Sequence, residues 1–194
     1  MGTRLVVVRH GRTDANARGL LLGRLDVSLD AVGRAQAEVL AATIGRVDRV
    51  VSSPLARARE TAAAFGGDVE VDERLIELDY GELDGLALDE VPASVWADWR
   101  ADIRFAPPGG ESLEELGRRV RAVLDDLATS GSDQTIAVVS HVSPIKAAVA
   151  WALDVGDEVT WRLFVAPASI TRIEASPTGA VVRSFNEVAH LDGR

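Results

Sequence analysis

The sequence predicts an α/β fold: a mostly parallel sheet covered by helices on both faces, with an antiparallel edge. Three observations carry this expectation. Short β-branched runs alternate along the chain with helical segments, the pattern of parallel strands joined by helices. The strand at Leu5 to Val8 is apolar at consecutive positions, so both of its faces are buried. The last two strand candidates are joined by the turn sequence Ser176-Pro177-Thr178-Gly179, which makes them a hairpin at one edge.

Taken in order, Leu5 to Val8 is the first strand, bounded by Arg9 and Gly11. Ala31 to Ile44 is a helix, with Val32, Ala35, Val39, Leu40 and Ile44 at helical spacing and Asp30 as its N-cap. Arg49 to Ser52 is a second strand, followed by a helix from Pro54 to about Phe65. Leu86 to Trp99 is only loosely helical, and Pro107-Pro108-Gly109-Gly110 is a loop. Glu111-Ser112 opens a helix to about Leu127, with Leu113, Leu116, Val120, Val123 and Leu124 on one face. Thr135 to Val139 is a third strand, Pro144 to Leu153 a further helix, and Ser169 to Glu174 and Ala180 to Phe185 are the closing strands. No repeat, low-complexity tract or linker interrupts the 194 residues, so one domain over 1–194 is expected.

Composition narrows the function classes. The absence of cysteine excludes disulfides, thiolate zinc sites and cysteine nucleophiles. No apolar run reaches membrane-spanning length, and Met1 to Arg4 followed by Leu5 to Val8 lacks the apolar core of a secretory signal, so a cytoplasmic location is expected. A net charge of −9 argues against nucleic acid or an anionic membrane as partner. Lys146 is the only lysine among 21 basic residues; the others are arginines, whose planar fork suits bidentate contact with phosphate. Oligomeric state leaves no mark in the sequence.

The chemistry lies at the strand ends. The first strand runs into Arg9-His10-Gly11, the second into Ser52-Ser53-Pro54 with Arg57 close behind, and the third into Ser140-His141-Val142-Ser143-Pro144. The carboxyl ends of strands in an open α/β sheet frame a ligand crevice. Ser53 and Ser143 read as N-caps, with Pro54 and Pro144 at the first helical position, so two helix N-termini would face an anion there. Arg9, His10, Arg57 and His141 therefore converge, although they are far apart in sequence. The three histidines lack metal-ligand spacing and no P-loop with its Lys is present, so neither a metal nor another cofactor is expected.

These residues form ordered blocks. Val8 to Thr13, Gly23 to Asp26, Leu29 to Ala37, Ser52 to Thr61, Glu77 to Gly81, Gly109 to Leu113 and Val139 to His141 together resemble the histidine phosphatase superfamily, in its phosphoglycerate mutase-like branch. The resemblance covers almost the whole chain and implies a three-layer α/β/α sandwich. It implies that His10 becomes phosphorylated, that Arg9, Arg57 and His141 hold the phosphoryl oxygens, and that Glu77 donates the proton. Asn16 and the backbone at Gly23 match positions lining the phosphate site, and Arg24 and Val142 complete the candidate substrate-binding set. Residue 12 is Arg where the family often has Glu or Gln, and residue 142 is Val where many members have Gly.

The expected activity is hydrolysis of a phosphomonoester of a small phosphorylated metabolite through phosphohistidine. Such transfer needs positioning and charge stabilisation on the equatorial oxygens, a neutral imidazole at His10, and an acid that starts protonated at Glu77. Asp79 and Glu82 are the rival acids, read as solvated loop carboxylates. A phosphoglycerate mutase uses the same residues, and a non-catalytic phospholigand-binding module is the alternative outside enzymes. Trp96, Trp99 and Phe105 either line an apolar pocket or pack a helix core.

Overall fold

The computed structural model describes residues 2–129, 133–176 and 178–192. Six strands form one sheet: β1 (Thr3–Arg9), β2 (Arg49–Ser52), β3 (Val69–Val71), β4 (Thr135–Ser140), β5 (Ile170–Ser176) and β6 (Gly179–Glu187). Their spatial order is β3-β2-β4-β1-β5-β6. The first four run parallel, while β5 pairs antiparallel with both β1 and β6. The expected parallel sheet with one antiparallel edge is thus present. Pro177, in the turn of that hairpin, lies outside the described residues.

Among the described residues six α-helices accompany the sheet: α1 (Asp14–Ala17), α2 (Ala31–Ile44), α3 (Ala56–Ala63), α4 (Ala93–Ala101), α5 (Leu113–Thr129) and α6 (Val142–Leu153). The pleat of β1 explains the three layers, because successive side chains point to opposite faces. Leu5 and Val7 join Leu116, Val120, Leu124 and Ile145 under α5 and α6. Val6 and Val8 join Leu40, Ala58 and Ala62 under α2 and α3. Each fully buried Val, Leu or Ile side chain stabilises the fold by about 1.5–3 kcal/mol relative to its exposed state.

Local sequence sets the helix starts. Asp30 caps α2 by accepting from the Gly33 N–H at 2.7 Å. Ser112 and Glu115 form a reciprocal capping box at α5. The caps expected at Ser53 and Ser143 are not made. α3 begins at Ala56 after Leu55, and α6 begins at Val142 with His141 in the N-cap position. The reason at α3 is a cap from elsewhere in the chain: Asp26 Oδ1 accepts from the Ala56 N–H at 2.6 Å. Ser53 is thereby left for a different partner. Between Leu86 and Trp99 the helix is confined to α4, and Pro92 precedes it. Among the described residues no helix is long and apolar enough to cross a membrane.

Candidate active site

β1 and β4 are neighbours, and the N–H of His10 donates to the Ser140 carbonyl at 3.0 Å. His10 and His141 are therefore brought together by parallel register alone, with ring centroids 5.1 Å apart. β2 lies on the other side of β4, which delivers Ser53 to the same place. Its Oγ lies 2.6 Å from Nε2 of His141.

The ring of His10 is held by one strong contact. Nδ1 lies 2.7 Å from the Gly11 carbonyl oxygen. A carbonyl can only accept, so Nδ1 carries the proton and Nε2 carries the lone pair. Arg57 donates from Nε to that lone pair at 3.3 Å, and from its two terminal nitrogens to the carbonyls of Gly23 at 2.6 Å and Leu25 at 2.8 Å. Burial, then the cations Arg9 and Arg57, push the His10 imidazolium well below the ordinary histidine range. His141 is pushed the same way by burial, Arg57, His10 and Arg9. Both rings are neutral at neutral pH.

Arg9 donates to the Val165 carbonyl at 2.7 Å, while its Nε is buried without a partner among the described residues. Burial pushes its pKa down to about 10, against the opposing pull of Glu77, so it remains cationic. Nδ1 of His141 is likewise buried and unpartnered among the described residues.

Glu77 is 3% exposed. Its Oε1 accepts from the N–H groups of Leu78 at 2.7 Å and Ser143 at 3.2 Å. Burial raises its pKa, while those donors and Arg57 pull it back. Arg119 fixes the segment that carries it, donating to the carbonyls of Arg74, Ile76 and Glu77 and to the Glu111 carboxylate. The rivals lie elsewhere: Asp79 pairs with Arg24 at 3.1 Å, and Glu82 is exposed.

A cavity of about 290 Å³ opens over this centre, and Arg9, His10, Asn16, Glu77, Val142 and Ser143 are among its lining. Arg57 and His141 contact His10 without being among the residues that line the cavity. Asn16 spends its carbonyl oxygen on the Thr13 N–H, which turns its amide N–H₂ into the available donor. The Gly23 N–H is taken by Asp84 at 2.7 Å, so its backbone serves to hold Arg57. Arg24 is drawn off to Asp79 and Glu111, and Arg12 pairs with Asp30 at 2.7 Å; neither lines the cavity. His190 Nε2 bonds the Ala168 carbonyl at 3.0 Å.

The aromatic residues satisfy both readings offered by the sequence. Trp99 is buried, stacks on Trp96 at 5.8 Å and meets Phe105 edge-on, yet both tryptophans also line the cavity. Tyr80, Lys146, Thr160, Trp161 and Phe164 are lining residues that the sequence pattern does not single out. Tyr80 is three residues from Glu77 and Lys146 one helical turn from Val142, so proximity to the named blocks is the only available signal. Among the described residues no group of three or more metal-ligating side chains is gathered.

Residues 5–188 match the histidine phosphatase superfamily (branch 1). A bifunctional protein of Mycobacterium tuberculosis is 38% identical over 200 residues, which cover 97% of this chain and 55% of that protein. The chain thus spans about half the length of these mycobacterial relatives. Phosphoserine phosphatase 1 of Hydrogenobacter thermophilus is 32% identical, covering 97% of this chain and 94% of the relative. The crystal structure of a phosphoserine phosphatase from Entamoeba histolytica, in complex with 3-phosphoglyceric acid, superposes with a TM-score of 0.90 at 28% identity, covering 97% of this chain and 99% of that one.

Proposed function

This chain belongs to the histidine phosphatase superfamily, and on that premise we propose that it hydrolyses phosphomonoesters of small metabolites through a phosphohistidine at Nε2 of His10. The observation that carries the proposal is the pairing of Nδ1 of His10 with the Gly11 carbonyl, because it leaves Nε2 as a nucleophile of fixed direction.

The steps derive from charge. On substrate binding the Arg57 Nε–H leaves the Nε2 lone pair and turns to a phosphoryl oxygen. The freed lone pair attacks phosphorus and the bond from phosphorus to the ester oxygen breaks. Positive charge develops on the imidazole and is steadied at Nδ1–H by Gly11. Arg9, Arg57 and the open Nδ1 of His141 are the groups available to the phosphoryl oxygens; the unpartnered Arg9 Nε and His141 Nδ1 gain a partner when an anion binds. Glu77, whose burial favours the protonated form, gives its proton to the departing alkoxide. Its carboxylate then takes a proton from the water that attacks phosphohistidine, releasing phosphate and neutral His10. Asn16 and Val142 face the bound ester from the wall, and Gly23 acts through Arg57. The relatives are named as phosphatases, which favours hydrolysis over the mutase reading. A pure phospholigand-binding module has no use for a nucleophile and a buried acid in one site. A cytoplasmic location belongs to the same proposal.

Alkaline quenching of wild-type protein with excess p-nitrophenyl phosphate should trap one acid-labile phosphoryl group, on His10. His10→Ala should lose both that label and turnover. Label on another residue, or retained turnover in the variant, would overturn the assignment.

A further inference from the structure

The cavity has a second cation that the phosphoryl chemistry does not use. Lys146 lies on α6, four residues after Val142 and three after Ser143. This spacing places all three on one face of the helix, and all three line the cavity. Lys146 makes no hydrogen bond or ion pair among the described residues, and its stem is partly buried. Burial, with Arg9 adding to it, holds its ammonium below the ordinary lysine range, and Glu77 opposes them. In a chain with 21 basic residues the sole lysine stands here. Much of the wall of the same cavity is apolar: Leu20, Leu88, Trp96, Trp161 and Phe164 line it. Of these, Phe164 and Leu88 remain 70% and 49% exposed, and an apolar ligand would cover them.

We propose that Lys146 is a specificity-determining residue, which binds a carboxylate on the leaving group of a substrate whose body is apolar. The substrate class is then the phosphomonoester of an apolar hydroxy acid. Among the described residues that line the cavity, Arg9 is the only arginine beside this ammonium, and a single ammonium matches a monoanion. A second phosphate, which carries close to two charges and three acceptor oxygens, calls for more donors. This proposal rests on the phosphatase reading of the same site.

The test uses 3-carboxybenzyl and 4-carboxybenzyl phosphate, each against its own methyl ester. Each pair keeps the benzyl alcohol as leaving group and removes only the charge. Wild type should prefer the acid in at least one pair by about 10- to 100-fold in kcat/KM, the span of one charge-assisted hydrogen bond. Lys146→Met should bring that ratio close to one, and Lys146→Arg should restore part of it. The ratio is read within each variant, so partial misfolding does not alter it. If wild type hydrolyses acids and esters equally, this proposal falls and the phosphatase reading stands. If Lys146→Met lowers acid and ester alike, Lys146 serves the phosphoryl group and the proposal falls. If wild type turns over none of the four esters nor p-nitrophenyl phosphate, the phosphatase reading falls as well.

Discussion

Nε of Arg57 lies 3.3 Å from Nε2 of His10, and the same guanidinium donates to the carbonyls of Gly23 and Leu25. One buried side chain thus aims the nucleophile and fastens the 23–25 loop. Lysine has a point charge in place of the fork, so Arg57→Lys cannot keep all three contacts. It should lower kcat/KM by about 10²–10³, the cost of one lost transition-state donor. It should also lower stability by about 1–3 kcal/mol for each carbonyl left buried without a donor. Steady-state kinetics and urea unfolding check both, and a lysine variant equal to wild type would contradict the geometry.

Glu77→Gln keeps the shape and removes the proton. Turnover of alkyl esters should fall by about 10²–10⁴. The loss should be smallest with p-nitrophenyl phosphate, whose leaving group hardly needs protonation. Asp79→Asn should be mild, since Asp79 faces Arg24 and the Gly81 N–H. Equal losses in the two variants would displace Glu77 as the donor.

Stability should decline as the solution is acidified. His10 and His141 are depressed in the folded state from an ordinary value of 6.5, so the unfolded chain takes up protons first. Their contribution is complete above that ordinary value and is lost as pH falls towards the folded values. Each adds a slope of about 1.4 kcal/mol per pH unit in that window. Glu77, raised in the fold, acts in the opposite sense: its contribution is present at low pH and is lost as pH rises through its folded value. Denaturant unfolding between about pH 4 and 7 should show His141→Ala flattening the decline by one proton. An unchanged slope would mean that this ring is not held neutral.

α2 docks closely on the loop after β1. A Cβ placed on Gly33 would stand 2.0 Å from the Arg12 carbonyl oxygen, and one on Gly11 would stand 2.3 Å from the Gly33 oxygen. Gly33→Ala should therefore cost about 1–3 kcal/mol from overpacking, despite alanine's better helix propensity. Because Gly11 carries the acceptor for His10, kcat should fall more than KM rises. A variant with wild-type melting temperature and kcat would show that the loop yields freely.

The mutase alternative makes its own prediction. Phosphate should be released from monoesters without bisphosphoglycerate, and interconversion of 2- and 3-phosphoglycerate should be negligible. A coupled assay in which bisphosphoglycerate-dependent isomerisation outruns phosphate release would reverse that choice.

The strand-end groups are legible in the sequence because β1, β2 and β4 announce themselves by apolar, β-branched runs. Parallel register then places Arg9, His10, Ser53 and His141, the residues at and just beyond their carboxyl ends. β3 is not legible: it has three residues, two of them exposed, so it lacks a buried pattern. The start of α3 departs from the expected Pro54 because its cap, Asp26, is 30 residues away. Arg24, expected among the substrate-binding residues, does not line the cavity, since two carboxylates compete for it. Trp161 and Phe164 stay invisible to periodicity because they come from a 3₁₀ turn and the extended stretch after it.

The two ends of the cavity have separate origins. His10 and His141 come directly after β1 and β4, while Trp96 and Trp161 come from α4 and the 157–162 turn, neither of which is a strand of the sheet. The wall that meets the leaving group can therefore be redrawn by mutation without disturbing the register that aligns the two imidazoles. A lineage built on this plan can change its diet while keeping its reaction, and exchange of residues 86–108 and 157–165 between relatives is the natural graft by which to move substrate preference.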